Sequence, residues 1–229
     1  MRSRVQRGFT LVEVLVALSI MAVMGVMSWR GIDSIRLTQS ALEERSTRIR
    51  TIQTALAQWR VDLDHQTDDP SLTQWDWDGK VLRLTRLAPS PSGELRVVAW
   101  SWQSDPSDPM SQIWVRWESA PVLTLSQWQG AWDDARAWSQ SATASLEQRT
   151  TRLFAIRDMQ LLVARDGSWV NPLSSAATNA AQSQGTVTPK VSKSEPPDAV
   201  RLILDIKDPA LQGAITLDWI SPLFTAKRS

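Results

Sequence analysis

The chain of 229 residues contains no cysteine, no tyrosine and only one histidine, His65. Without cysteine there can be neither disulfides nor thiol nucleophiles, although this absence does not identify a cellular compartment. A Ser-His-Asp arrangement would have to use His65, which we expect instead near a helix C-terminus. The sequence also lacks a G-x-S-x-G elbow, a phosphate loop and an H-E-x-x-H zinc motif. These absences predict a protein that is not an enzyme and that uses no cofactor.

The charged residues give no sign of a metal or nucleic-acid site. Carboxylates cluster at Asp62, Asp64, Asp68 and Asp69, but their spacing lacks the glycine and terminal glutamate of an EF-hand loop. We interpret this cluster as a solvated acidic loop and predict no metal. The formal charge of the whole chain is only +1, so no basic patch indicates a nucleic-acid partner.

One long apolar run extends from Phe9 to Trp29, and a helix of these 21 residues would reach about 31 Å, the thickness of a bilayer's hydrocarbon core. A cleaved secretory signal would be shorter and would end in an A-x-A site, which Gly25, Ser28 and Gly31 do not make. Arginines before the run favour a cytoplasmic N-terminus. We therefore predict a transmembrane helix over 9–29.

A carboxylate, Glu13, lies inside this run, at a cost of roughly 2.5–3.5 kcal/mol near a helix centre. The 16 residues that follow contain no cation. A partner appears if the chain is cut after Gly8, because the new α-amino group of Phe9 would lie one helical turn away from Glu13. The amine could belong to the same chain or to a neighbouring copy, and the alternative is that Glu13 extends to the lipid headgroups.

The stretch RGFTLVEVLVA, residues 7–17, resembles the class III leader of type IV pilins and type II secretion pseudopilins. The resemblance implies that residues 1–8 are a leader, that a prepilin peptidase/methyltransferase cuts between Gly8 and Phe9, and that Phe9 is then N-methylated. It also implies that Glu13 is an assembly contact. The basic residues of the leader are Arg2, Arg4 and Arg7.

After the apolar run, the sequence predicts a longer helix and then strands. Residues 30–65 contain no proline, and apolar residues from Ile49 to Leu63 recur every three or four positions, which predicts a continuation of the first helix. That stripe could pack on a sheet or form a coiled coil. Residues 66–229 show short runs of period two, which predict antiparallel strands with one buried face. We expect a short helix at 125–138 and a mobile loop at 174–197.

The fold class predicted from these patterns is α+β, with a long N-terminal helix packed on an antiparallel sheet domain. The stretches 52–65, 82–102, 156–172 and 196–206 resemble, in order and spacing, the J-type minor pseudopilin of the type II secretion system, the general secretion pathway protein J family. The Trp-rich segment 126–140 and the polar segment 174–197 depart from that pattern.

The resemblance implies a pilin-like fold and a single-pass inner-membrane protein of a Gram-negative bacterium, with a periplasmic C-terminal domain. Such a subunit would join I- and K-type minor pseudopilins and the major pseudopilin in a tip complex that initiates the periplasmic pseudopilus. Its other expected contacts are inner-membrane lipid and the secreted substrate or outer-membrane channel. The alternative is a minor pilin of a type IV pilus, with a role in pilus assembly, adhesion or DNA uptake.

Overall fold

The computed structural model describes residues 9–88, 93–105, 107–141, 143–165, 167–174, 196–208 and 213–222. The predicted leader, residues 1–8, lies outside these ranges, as do residues 175–195 of the predicted mobile loop. The chain divides into two compact units, with the boundary between Arg50 and Thr51. The second unit contains the sheet together with the last turns of the first helix.

The first helix, α1, runs without interruption from Leu11 to Asp64. Its large apolar side chains are exposed from the start through Leu42, whereas Ile52, Ala55, Trp59 and Leu63 are buried. These four positions are separated by three or four residues and therefore share one face of the helix. The stripe predicted from the sequence is the face that packs on the sheet.

The rest of the described chain forms an eight-stranded antiparallel sheet and two further helices. The sheet order is β1-β2-β3-β4-β5-β7-β8, and β6 pairs with β5 beside this path. The strands are β1 Trp75–Trp77, β2 Leu82–Leu87, β3 Leu95–Asp105, β4 Asp108–Glu118, β5 Thr150–Arg165, β6 Ser168–Val170, β7 Ala199–Ile206 and β8 Ala214–Ile220. The helices are α2, Leu125–Gln140, and α3, Ala144–Glu147. The predicted α+β pilin-like arrangement of a long apolar helix and an antiparallel sheet is confirmed.

The sheet has a core on each face in the region of β2, β3 and β4. On one face, the end of α1 packs against Trp100 and Trp114, whose ring centroids lie 5.3 and 5.9 Å from that of Trp59. On the other face, α2 buries Trp128 and Trp138. The prediction of one buried face was therefore wrong for these strands, because α1 and α2 cover opposite faces. The alternating apolar residues Val97 and Val115 lie on the face beside α2, and Val98 and Trp114 lie on the face beside α1. The predicted helix at 125–138 is confirmed, and Thr124 caps its start by accepting the N–H of Gln127.

Candidate functional site at the two ends of the long helix

The N-terminal end of α1 is closed by a reciprocal pair of contacts between Thr10 and Glu13. The Thr10 backbone N–H and hydroxyl both donate to Glu13 Oε2, each at 2.9 Å, and the Glu13 N–H donates to Thr10 Oγ1 at 3.3 Å. This is a capping box, in which two residues three positions apart satisfy each other's polar groups. A carboxylate in the first turn is also favoured by the helix dipole.

The structure therefore gives Glu13 a local partner that the sequence argument missed. The signal was available, because Thr-x-x-Glu at 10–13 followed by apolar residues is the pattern of a capping box. Phe9 precedes the helix and is 87% exposed. The other predicted site residues, Gly8 and the arginines of the leader, lie outside the described part of the chain.

Beyond the cap, α1 presents apolar side chains on all sides. Leu11, Leu18, Met21 and Met27 are each more than 60% exposed. Within the described residues, α1 is the one helix long and apolar enough to cross a membrane. A helix that is apolar all round without burial in its own chain requires a lipid or protein environment. This helix suits a single-pass membrane anchor.

The C-terminal end of α1 carries a buried carboxylate, Asp62, whose side chain is fully inaccessible to solvent. It accepts hydrogen bonds from Trp100 Nε1 at 2.9 Å and from Arg116 Nε and Nη2 at 2.7 and 3.0 Å. Gln58 Nε2 donates to it at 2.9 Å, and Arg86 Nε lies 3.1 Å from Oδ1. One carboxylate on α1 therefore contacts side chains of β2, β3 and β4.

The charges around Asp62 continue toward the surface through Glu118. Glu118 accepts from Arg116 at 2.7 Å and from Arg86 and Arg96 at 3.2 Å each. Burial alone would raise the pKa of Glu118, but attraction to Arg116 and then to the other two guanidinium groups lowers it below its usual value. Burial opposes the charge of Arg116 as well, yet Asp62 and then Glu118 raise its pKa.

The tryptophans explain how the helices are attached to the sheet. Trp219 on β8 donates its indole N–H to Asp64 at 2.7 Å, next to the Asp62 cluster in sequence. On the opposite face, Trp128 and Trp138 of α2 donate to threonine hydroxyls, those of Thr85 and Thr150, at 2.9 and 2.7 Å. Tryptophan combines a large apolar surface with one hydrogen-bond donor, so each of these side chains both buries apolar area and fixes the orientation of a helix on the sheet.

The polar cluster at the end of α1 is not fully satisfied. Within the described residues, Arg86 Nη1 and both amide atoms of Gln66 are buried and make no hydrogen bond. Gln66 and Arg86 are paired across an antiparallel bridge, so their side chains lie on the same face. The cluster therefore contains buried polar atoms that add cost rather than stability.

Asp62 contradicts the interpretation of its sequence neighbourhood as a solvated acidic loop. A carboxylate three residues after the buried Trp59 falls on the apolar stripe of α1, and that position was the available signal. The arrangement is structural, because the carboxylates of Asp62 and Glu118 and the guanidinium groups of Arg86 and Arg116 contact one another. Among the described residues, no group of three or more His, Asp or Glu side chains could hold a metal ion.

The similarity to known proteins lies at the N-terminal end of α1. Residues 3–29 match the family described as the prokaryotic N-terminal methylation motif. The motif implies processing by a prepilin peptidase and assembly with other pilin-like subunits, which are structural proteins rather than enzymes. Together with the long apolar helix and the antiparallel sheet domain, it supports a type IV pilin-like protein, either a pilin or a pseudopilin.

Proposed function

We propose that this protein is a J-type minor pseudopilin of a type II secretion system, a structural subunit of the pseudopilus tip complex. Residues 1–8 are removed on the cytoplasmic side of the inner membrane, Phe9 becomes the methylated N-terminus, and residues 9–29 span the membrane. Residues 30–65 continue the helix into the periplasm, where residues 66–229 form the exported domain. I- and K-type pseudopilins are its proposed partners.

The observation that carries the proposal is the methylation motif at the start of a helix whose apolar surface is not buried by its own chain. The J-type assignment rests on the resemblance of four stretches, 52–65, 82–102, 156–172 and 196–206. All four contribute to the core around the buried end of α1, through the end of α1 itself and through β2, β3, β5, β6 and β7. This shared location supports treating them as one pattern.

The capping box adds a step to the proposed role of Glu13. Before assembly, Thr10 supplies Glu13 with two hydrogen bonds, which offset part of the cost of a carboxylate in the membrane. Cleavage creates an ammonium group on Phe9, and methylation keeps its charge. A charged amine is a stronger partner for a carboxylate than a neutral hydroxyl. Assembly then exchanges the Thr10 contact for an amine, which we assign to a neighbouring subunit.

The first experiment is mass spectrometry of the N-terminus of the membrane-extracted protein. We expect the chain to begin at Phe9 and to carry one methyl group. Substitution of Gly8 by a bulky residue should leave the precursor uncut, and it serves as the control. A chain that still begins at Met1 in wild-type cells would contradict the proposal.

The second experiment separates cleavage from assembly. Glu13→Ala should be cleaved normally but excluded from the filament fraction, and Glu13→Gln should behave like it because the charge is lost. Glu43→Ala, which removes an exposed carboxylate further along α1, is the matched control. Normal incorporation of Glu13→Ala would exclude the amine contact.

Affinity capture from membranes distinguishes secretion from pilus assembly. Recovery of I- and K-type pseudopilins with the full chain is the expected result. Recovery of a major pilin with pilus assembly proteins would instead support the minor pilin of a type IV pilus.

A further inference from the structure

Two carboxylates at the end of α1 contact the sheet at widely separated strands. Asp62 contacts side chains of β2, β3 and β4, and Asp64 accepts the indole N–H of Trp219 on β8. We propose that Asp62 and Asp64 are positioning residues that fix the register of α1 on the sheet. In this role they select one axial position of the helix and are not a source of net stability.

Apolar packing alone does not select a single position for this helix. Its buried apolar residues, Ile52, Ala55, Trp59 and Leu63, repeat every three or four positions, so a shift by one turn carries Trp59 to the place of Ala55 or Leu63, which are also apolar. Such a shift is about 5.4 Å long. The hydrophobic effect is non-directional, so apolar packing distinguishes these positions only by the volume and shape of the side chains.

Hydrogen bonds to Asp62 discriminate strongly between axial positions of α1 on the sheet. The Arg116 guanidinium binds both carboxylate oxygens, with Nε at 2.7 Å from Oδ2 and Nη2 at 3.0 Å from Oδ1. This two-point contact requires a fixed orientation of both groups. A shift of one turn toward the C-terminal end of α1 would bring Gln58 to the place of Asp62 and would leave Arg116 and Arg86 with Glu118 but without their inner carboxylate. The cost of that mismatch specifies the register.

Three features indicate that the cluster specifies position and adds little net stability. Arg86 Nη1 and the amide of Gln66 are buried without hydrogen bonds among the described residues, so the network is incompletely satisfied. Both aspartates lie in the last turns of a helix, where the dipole disfavours negative charge. Burial of the ion pairs also requires their desolvation, and apolar replacements of such clusters are often neutral for stability.

The absence of cysteine allows a direct measurement with spin labels. Ala57→Cys on the exposed face of α1 and Thr216→Cys on β8 place one label on each element, in the full chain in detergent. We expect a single narrow distance distribution from pulsed electron–electron double resonance. In the background Asp62→Leu/Arg86→Met/Arg116→Met, we expect a cooperative melting transition close to that of the parent and a distribution that broadens or splits by up to about 5 Å.

Two controls isolate the register from other effects. Ile52→Ala removes buried apolar volume from the same helix face, and it should lower the melting temperature while the distance distribution stays narrow. A second label pair, Thr151→Cys with Thr216→Cys, lies within the sheet and should be unaffected by the triple substitution.

Two results would overturn the proposal. If the triple variant folds and keeps the parent's narrow distribution, the Asp62 cluster does not set the register and the proposal fails. If it fails to fold, the cluster is required for stability and its role is not positioning alone. Neither result depends on secretion or filament assembly, so the outcome is independent of the proposed function.

Discussion

The two ends of α1 belong to one helix but differ in the burial of their apolar side chains, which are exposed near the start and buried against the sheet near the end. Near the start, Leu15 is 61% exposed and Met21 is 69% exposed, whereas near the end Trp59 is fully buried. The first part is apolar all round, and the last part has one apolar stripe. A continuous helix can therefore present one surface to lipid or other subunits and use another to build the core of its own chain.

The polar groups at the two ends differ in how far away in sequence their hydrogen-bond partners lie. Glu13 is paired with Thr10, three residues away, while Asp62 is paired with Trp100 and Arg116, 38 and 54 residues away. A local contact can be exchanged for another with little disturbance of the fold. A long-range buried contact cannot, because its loss leaves charged groups without solvent or partner.

The sharpest test of this difference is the removal of Asp62. Asp62→Ala leaves the buried Arg116 and Arg86 without their inner carboxylate, and we expect the free energy of unfolding to fall by about 3–5 kcal/mol. Asp33→Ala on the exposed part of α1 is the control and should change it by less than about 0.5 kcal/mol. Denaturant titration followed by tryptophan fluorescence measures both. Equal effects would show that the two parts of α1 do not differ as described.

Apolar truncations extend the comparison to packing. Ile52→Ala, on the buried part of α1, should lower the free energy of unfolding of the sheet unit by about 2–4 kcal/mol, through lost burial and the cavity that remains. Ile35→Ala removes the same atoms from a residue that is 60% exposed, and should change that free energy by less than about 0.5 kcal/mol. The same titration in detergent provides the measurement. A large effect of Ile35→Ala would reveal a contact within the chain that the structure does not contain.

Acid should weaken the sheet unit through Glu118. Its pKa is lowered in the folded protein, so its stabilising contribution is present above the usual glutamate value, about 4.3, and is lost as the pH falls through the folded value. Glu118→Gln should cost about 1–3 kcal/mol at pH 7 and progressively less in acid. Urea titrations from pH 7 to pH 3 test this convergence.

A matched exposed pair provides the control for Glu118. The Arg201 hydrogen bond lowers the pKa of Asp218, but this pair lies at the surface, where solvent and salt screen it. Asp218→Asn should therefore have little effect at any pH. If Glu118→Gln remained equally destabilising at pH 3, the carboxylate's charge would not be the origin of the stabilisation.

The length of the apolar run predicted the first part of α1, and periodicity in the sequence predicted its last part, the antiparallel strands and α2. These elements follow from local spacing of apolar residues, which is visible without any long-range information. The second buried face of β2 was not predictable from alternation, since Arg83 and Thr85 are polar residues that face α2 and are nonetheless buried. Their burial is compensated by polar contacts, because Asp76 pairs with Arg83 and Trp128 donates a hydrogen bond to Thr85.

The two ends of α1 were predictable to different degrees. Glu13 stood out in the sequence because a charge in an apolar run is costly, and its contact with Thr10 could have been predicted from the Thr-x-x-Glu pattern of a capping box. The position of Asp62 on the apolar stripe of α1 distinguished it from its acidic neighbours, but its partners could not be identified because they are 38 and 54 residues away in sequence. The distance in sequence between two contacting residues, more than their residue types, determined whether their contact could be predicted.

The smallest expected effect concerns the cap of α1. Thr10→Ala removes the hydroxyl from both side-chain contacts of the capping box, and we expect the first turn to lose about 0.5–1 kcal/mol of protection. Thr10→Ser keeps the hydroxyl and should behave like the parent. Hydrogen exchange of the amides of residues 12–14 in detergent detects the change, which should leave the amides of the buried end of α1 unaffected. Unchanged exchange in Thr10→Ala would mean that Glu13 is held by the Thr10 backbone N–H alone, and that the hydroxyl does not contribute to the cap.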